Sequence, residues 1–259
     1  MDFSDEDVAR CWDSFAEAWS EQAGEAGDFY HRTFIIPSML RLLGDVDGQR
    51  VLDLACGTGV FTRYLARRRA RVVGVELSEK MLTKARQFEA AEPLGIVYDQ
   101  GNASRLDRFE GASFDAVTCN MALMDMSDFE GALSEAHRVL VPGGRLVFSI
   151  LHPCFFTPES GWQKTDPESK RNEDRLYWKV DHYFERRSGR RTFSWSHWVY
   201  FHRTLGDYLN AVTRTGFVLS EIDEPEPSPE LLREVDCLDM TRMATFLVVR
   251  ATKSGDRTL

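Results

Sequence analysis

Lysine is scarce in this 259-residue chain, 6 residues against 26 arginines, a bias that hints at a GC-rich genome and says nothing about chemistry. Long apolar runs are missing too: none approaches the roughly 18 residues that a membrane helix needs. The acidic start, Met1 to Asp7, lacks the basic-then-apolar pattern of a secretory signal, so a cytoplasmic protein is the simplest expectation. Cysteine is sparse and irregular. Cys11, Cys56, Cys119, Cys154 and Cys237 have no metal-ligand spacing, and an odd number without an export signal argues for free thiols and no metal site. A net charge of −9 argues against a general nucleic-acid binder, because phosphate binding needs clustered Lys and Arg. With no internal repeat and no low-complexity tract, the length suits one α/β domain with decorations.

Against these absences stands one dense string, Val51-Leu52-Asp53-Leu54-Ala55-Cys56-Gly57-Thr58-Gly59. Residues 51–55 read as a buried strand, Gly57 and Gly59 permit a tight turn, and residues 60–69 favour a helix opening on that turn. Glu76 ends the next apolar run, 17 residues beyond Gly59, where a carboxylate can accept from both hydroxyls of a ribose. A nicotinamide pocket uses similar parts. Its fingerprint, however, wants a small third residue where this chain has Thr62, and its pyrophosphate wants a helix N-terminus free of negative charge, whereas Asp53 precedes this turn. Asp53 suits a ligand carrying an ammonium group and a sulfonium. The order strand, D-x-x-C-G-T-G, helix, strand, acid resembles the class I S-adenosylmethionine-dependent methyltransferases.

The resemblance covers residues 48–151 and, more loosely, reaches 251. Residues 71–78 read as strand two, with Ser78 capping a helix to about Ala90 on Met81, Leu82, Ala85 and Phe88. Residues 96–100 make strand three. Strand four is Phe114-Asp115-Ala116-Val117-Thr118-Cys119-Asn120, and a helix over 129–140 is stopped by Val141-Pro142-Gly143-Gly144 before strand five at 145–150. The run to Phe148 resembles the small-molecule branch of the family. Alternating strands and helices predict a Rossmann-like, seven-stranded, mostly parallel sheet with helices on both faces, completed by strands at 216–224 and 244–251 around a Pro225, Pro227, Pro229 loop. Ligands bind at the carboxyl ends of such strands. The resemblance implies S-adenosylmethionine as cofactor, held by Asp53, Ala55, Cys56, Gly57, Gly59, Glu76, Leu77, Asn102, Ala103, Asn120 and Met121. Asn102 stands where the family usually places an Asp that accepts from the adenine amine; its amide carbonyl can accept one bond, and a simple turn role competes.

Two additions bear on the acceptor. Ser4 with Asp7 predicts a capping box for a helix whose Val8, Trp12, Phe15 and Trp19 share a face. Gly24 and Gly27 then break it, Asp28 can cap residues 29–34, and Pro37 interrupts before residues 40–43. The resemblance suggests a lid over the cofactor, with packing on the sheet edge as the plainer role. The second addition, residues 154–201, holds 12 of the chain's 30 aromatic residues, including Trp162, Trp178, Trp195 and Trp198. Residues 192–201 could pair with 176–184 as an added hairpin overhanging the methyl group, its aromatic walls suiting a flat small-molecule acceptor. A small aromatic core or a contact between two copies in a homodimer fits the same composition. Between Lys164 and Arg191 nine basic and six acidic residues leave a local +3, which reads first as a solvated charged segment and leaves an acidic substrate open. The expected divisions of the single domain are 1–48, 49–151, 152–204 and 205–259.

The resemblance implies direct displacement of the sulfonium methyl by a nucleophile on a small organic molecule, leaving S-adenosylhomocysteine, with the protein mainly aligning the partners. Where the nucleophile is a hydroxyl, a base helps. His152 after strand five, His31 on the N-terminal segment and His202 are the candidates; His137, on a helix, reads as structural. No Asn-Pro-Pro-aromatic tetrad follows strand four, where Asn120-Met121-Ala122-Leu123 stands, and Pro153-Cys154 lies beyond strand five, so DNA methylation is disfavoured. A non-catalytic S-adenosylmethionine-binding module and an NAD(P)-dependent oxidoreductase remain as alternatives.

Overall fold

The computed structural model describes residues 3–169, 171–193, 196–235 and 237–255. In chain order the elements are α1 (Asp5–Ala23), a π-helical turn (His31–Ile35), α2 (Ile36–Leu43), β1 (Arg50–Leu54), α3 (Val60–Ala66), β2 (Arg71–Glu76), α4 (Glu79–Ala91), β3 (Val97–Gln100), β4 (Phe114–Asn120), α5 (Phe129–Val139), β5 (Leu140–Leu151), β6 (Gly161–Lys164), β7 (Arg175–Lys179), β8 (Ser188–Phe193), β9 (Ser196–Phe201), α6 (Leu205–Arg214), β10 (Phe217–Asp223), α7 (Leu231–Glu234) and β11 (Phe246–Lys253). Seven strands form one sheet in the order β10-β11-β5-β4-β1-β2-β3, parallel except for β11, which runs antiparallel to both neighbours. This is the predicted Rossmann-like architecture.

The near-continuous apolar runs of β1, β4 and β5 follow from burial on both faces. Alternate residues enter opposite cores. Leu52, Leu54, Val117, Cys119 and Phe148 meet α5 and α6 through Ala132, Ala136, Tyr208 and Val212. Val51, Ala116 and Val147 meet α2 and α3 through Met39, Leu42, Phe61 and Leu65. Because every parallel strand of the central group ends on the same side, β1, β2, β3, β4 and β5 deliver their following loops to one edge.

Local chemistry accounts for most boundaries. The Ser4 and Asp7 side chains form the capping box that starts α1, and Gly24, at φ +56°, ends it. Ser78 caps α4, Asp128 caps α5, and Thr204 with Asp207 boxes α6.

Three expectations are corrected. Pro37 does not interrupt the second segment. It occupies the first turn of α2, and the preceding π-turn, in which the Ile36 N–H donates to the His31 carbonyl, widens the helix where a proline would otherwise cost a bond. Pro142 and Gly143 lie in an irregularity within β5 rather than in a loop before it, since Leu140 already pairs with Phe114 and the register shifts before Arg145. Residues 196–201 of the expected hairpin do not pair with 176–184. β8 pairs with β9 and β6 with β7, each antiparallel, because pairing near neighbours closes a shorter loop than pairing across the insertion. Trp195 lies outside the described residues.

Candidate active site

At the carboxyl edge of the sheet a cavity of about 600 Å³ is lined by the loops after β1, β2, β3 and β4, one face of α1 and the aromatic insertion. Its floor is the glycine turn. Gly57 and Gly59 adopt φ +57° and +75°, left-handed values that favour glycine. The two differ in surroundings: a Cβ on Gly57 would meet nothing within 4 Å, whereas one on Gly59 would stand 2.2 Å from the Tyr98 hydroxyl. Gly57 therefore opens onto the cavity and Gly59 is packed from behind.

Glu76, at the tip of β2, holds this turn. One carboxylate oxygen accepts from the Gly57 N–H at 2.9 Å and the other from the Ser78 N–H at 2.8 Å. Burial raises its pKa despite those bonds. Asp53 is 1% exposed, and each of its oxygens accepts one hydroxyl at 2.7 Å, from Thr62 on α3 and Thr118 on β4. Burial, the dominant cause, pushes its pKa up to about 6. Thr62 thus has a purpose that the glycine spacing did not reveal: it orients Asp53. Arg63 was also invisible in the sequence. It is 1% exposed beneath the turn, donating to the Thr58 carbonyl and, across to the α1–α2 connection, to the Glu25 carbonyl, both at 2.7 Å.

The remaining expected cofactor residues converge here. Ala55, Cys56, Leu77, Asn102, Ala103, Asn120 and Met121 all line the cavity; Gly59, behind the turn, does not. Burial pushes the Cys56 thiol well up, making it an inert packing group. Met121, at φ +53°, is pinned by Ser149 of β5, whose hydroxyl accepts from the Met121 N–H at 3.0 Å and donates to the Asn120 side-chain Oδ1 at 2.8 Å. Asn102 is more committed than its expected role supposes. Its carbonyl accepts from the Ser104 N–H and hydroxyl, both at 2.9 Å, and its amide donates to Asp5 of α1 at 2.6 Å.

Asp5 also takes the Ser127 hydroxyl in the loop after β4, so the start of α1 bridges two of the loops that rim the cavity. Farther along α1, Val8, Cys11 and Phe15 pack with Met81 of α4 and Val199 of β9. Val8, Trp12, Phe15 and Trp19 line the cavity, as their helical spacing predicts.

The three histidines separate. His31 lines the cavity on the glycine-turn side, its Nδ1 2.8 Å from Asp28 and its ring edge-on to Trp19. Burial works to raise the Asp28 carboxyl, but the bonds and charge of His31 leave it below its ordinary value. His152 and His202 are not brought to this cavity. Leu151 faces it, and side-chain alternation along an extended chain turns His152 away. There its Nε2 contacts Glu224 at 2.8 Å and its Nδ1 accepts from the Cys154 N–H at 3.2 Å. His202 spends Nε2 on the Tyr183 carbonyl at 2.8 Å and borders a smaller neighbouring cavity. Burial lowers the pKa of both, with Glu224 opposing it at His152. His137 packs edge-on against Phe217, as a structural residue does.

The side of the cavity formed by the insertion and the loop after β4 holds charged residues that the sequence did not single out. Asp125, 5% exposed, and Arg191 of β8 both line the cavity, among Phe156, Trp162, Trp178 and Trp198. Away from it, Glu159, Asp181 and His182 bring potential ligand atoms together on the surface, but Arg187 and Lys179 already pair with the two carboxylates.

Comparison with known proteins decides what the cavity holds. A family model described as a methyltransferase domain matches residues 52–148. The crystal structure of an S-adenosylmethionine-dependent methyltransferase from Mesorhizobium loti is 33% identical, with a TM-score of 0.70 over 83% of this chain and 96% of that one. The chain belongs to the class I S-adenosylmethionine-dependent methyltransferases. The methyltransferase is also similar to the demethylmenaquinone methyltransferase of Deinococcus radiodurans, 43% identical over 44% of this chain and 46% of that enzyme. It resembles the ubiquinone biosynthesis O-methyltransferase of Alkalilimnicola ehrlichii, 31% identical over 57% of this chain and 60% of that one. It thus spans less than two thirds of either of those enzymes.

The methyltransferase uses S-adenosylmethionine to methylate a small organic molecule by direct displacement, releasing S-adenosylhomocysteine; neither the binding-module nor the oxidoreductase alternative is favoured. Its residues fit that donor: open space over Gly57, and two buried carboxylates, Asp53 and Glu76, at one rim. Among the described residues no helix is long and apolar enough to cross a membrane.

Proposed function

We propose that the acceptor is a small, flat, hydroxylated aromatic molecule bound between the cofactor loops and the aromatic insertion. The observation that carries this reading is that Phe156, Trp162, Trp178 and Trp198 line the same cavity as the glycine turn, together with Met124 and Met126. Aromatic faces and pliable thioethers bind flat rings and exclude water. The two quinone-pathway relatives lend support, since their names refer to demethylmenaquinone and to ubiquinone biosynthesis. In this reading residues 1–48 form the lid, 49–151 hold the donor, 152–204 face the acceptor and 205–259 complete the sheet.

Within that arrangement Glu76 binds the ribose hydroxyls, Asp53 faces the ammonium end of the donor and the loop at Asn102 and Ala103 flanks the adenine. Bound donor supplies a methyl group already activated by the sulfonium charge, so the chain's work is alignment and desolvation. α1 does both, since Asp5 ties down the rim while Trp12 and Phe15 cover the cavity. The test is transfer of labelled methyl from S-adenosylmethionine into naphthols and catechols against a matched set of aliphatic amines and alcohols. Label in the aromatic set supports the proposal; label confined to the aliphatic set overturns it.

A further inference from the structure

Asp125 has no place in the cofactor reading, and its surroundings ask for an explanation. It ends a short 3-10 turn, Leu123–Asp125, five residues beyond β4, and lines the acceptor side of the cavity at 5% exposure. Its Oδ1 is buried with no hydrogen-bond partner among the described residues. The nearby cations are engaged with backbone. Arg203 donates to the carbonyls of Leu123, Met126 and Ser127, at 3.2, 2.6 and 3.1 Å, clamping the loop that carries Asp125. Arg191 donates to the Phe156 and Thr157 carbonyls at 3.2 and 3.0 Å, with its guanidinium 4.8 Å from the centre of the Tyr200 ring. A buried carboxyl left unpaired costs folding energy, and packing alone does not explain its retention. Perturbed acids of this kind in a cleft are where proton transfer is found.

We propose that Asp125 is a catalytic residue that takes the proton from the acceptor's hydroxyl during methyl transfer. The inference rests on the hydroxylated aromatic acceptor proposed above. The O–H proton passes to the Asp125 carboxylate, an oxygen electron pair forms the new O–CH3 bond, and the C–S pair stays with sulfur, leaving neutral S-adenosylhomocysteine. Burial raises the Asp125 pKa well above its ordinary value, against the pull of Arg191 and Arg203, which brings it nearer the working range of a base. The other titratable groups facing it are Cys119 of β4, Cys11 of α1 and Tyr208 of α6. His31 is the rival base in this cavity. It is held on the glycine-turn side, where a Cβ on Gly27 would be 2.7 Å from its own Cβ and 3.2 Å from Val60.

The experiment compares wild type, Asp125→Asn, Asp125→Glu and His31→Asn across pH, with labelled S-adenosylmethionine and two probes, 2-naphthol and the more acidic 4-nitrophenol. Calorimetric binding of S-adenosylhomocysteine checks that each variant is folded. Asp125→Asn is expected to lower kcat on 2-naphthol about 10²- to 10⁴-fold and to abolish the acid limb of the kcat profile. Its defect should shrink on 4-nitrophenol, which arrives largely ionised, and Asp125→Glu should restore part of the rate. A merely structural residue would affect both probes equally. Unchanged kcat and acid limb in Asp125→Asn, an equal defect on both probes, or an acid limb lost only in His31→Asn each overturns the role of Asp125 alone. Wild type that methylates neither phenol overturns the acceptor class and this inference together, while the donor reading still stands on the calorimetry.

Discussion

The two halves of the cavity, one proposed for the donor and one for the acceptor, are built in opposite ways. The donor half comes from consecutive β-α units: β1, the glycine turn, β2 and Glu76 lie within 27 residues, and both oxygens of each of its two carboxylates, Asp53 and Glu76, accept a hydroxyl or backbone donor, while the Thr58 hydroxyl and Arg63 Nε beside them are buried without a partner among the described residues. The acceptor half is assembled from α1, the loop after β4 and the hairpins 161–201, and it contains a carboxyl oxygen without one. The carboxylates proposed for the donor are satisfied in advance, whereas the carboxyl on the side proposed for the acceptor keeps one oxygen free for a substrate.

The sharpest way to break this comparison is at the packed side of the glycine turn. Gly59→Ala adds a Cβ at left-handed φ against Tyr98 and should cost about 2–5 kcal/mol of stability. Gly57→Ala, equally left-handed but facing open space, should cost about 1–2 kcal/mol, the difference being read as a larger fall in Tm for Gly59→Ala. Glu76→Ala removes one charge-assisted bond to the glycine turn, one to the start of α4 and the proposed ribose partner, so affinity for S-adenosylhomocysteine should fall about 100-fold by calorimetry. Arg191→Ala, on the other half, should leave that affinity within about 2-fold, since the Arg191 guanidinium donates to the Phe156 and Thr157 carbonyls of the insertion; equal losses would erase the distinction between the halves.

Asp53 gives a pH test. Its folded pKa, about 6, lies above its ordinary 3.8, so folding favours the protonated form. The stabilisation is complete below about pH 4 and is lost as pH rises through about 6, amounting to about 3 kcal/mol in the ligand-free protein. Asp53→Asn should flatten that fall in thermal scans. Donor affinity should run the other way: an ammonium group pairs with the carboxylate, so binding should weaken about 10-fold per pH unit below 6 in wild type and not in Asp53→Asn. The smallest effect is expected at Asn102→Ala. With its carbonyl already spent on Ser104, a loss of donor affinity under about 5-fold is expected; a loss matching that of Glu76→Ala would show that the adenine contact outranks the turn.

The sheet was legible because its signals are local. Alternating apolar runs and capping residues such as Ser78 report on neighbours a few residues away, and the glycine turn needs left-handed backbone that few other residues accept. The choice among histidines was not legible, because it turns on direction. His152 follows Leu151 directly, yet alternation sends one to the cavity and the other to Glu224. The pairing of β8 with β9 escaped for a related reason: two segments of similar composition compete for one partner, and loop closure decides.

Spacing within single β-α units was enough to read the α/β sheet, the glycine turn and the acid that closes it from the sequence. Packing of the layers was needed to show that Thr62 and Thr118 orient Asp53, that Asp5 bridges the loops at Asn102 and Ser127, and that Asp125 is buried beside the aromatic insertion with one oxygen lacking a hydrogen bond among the described residues. Those contacts join residues far apart along the chain, and burial, which sets their charge and reactivity, exists only once the layers have packed.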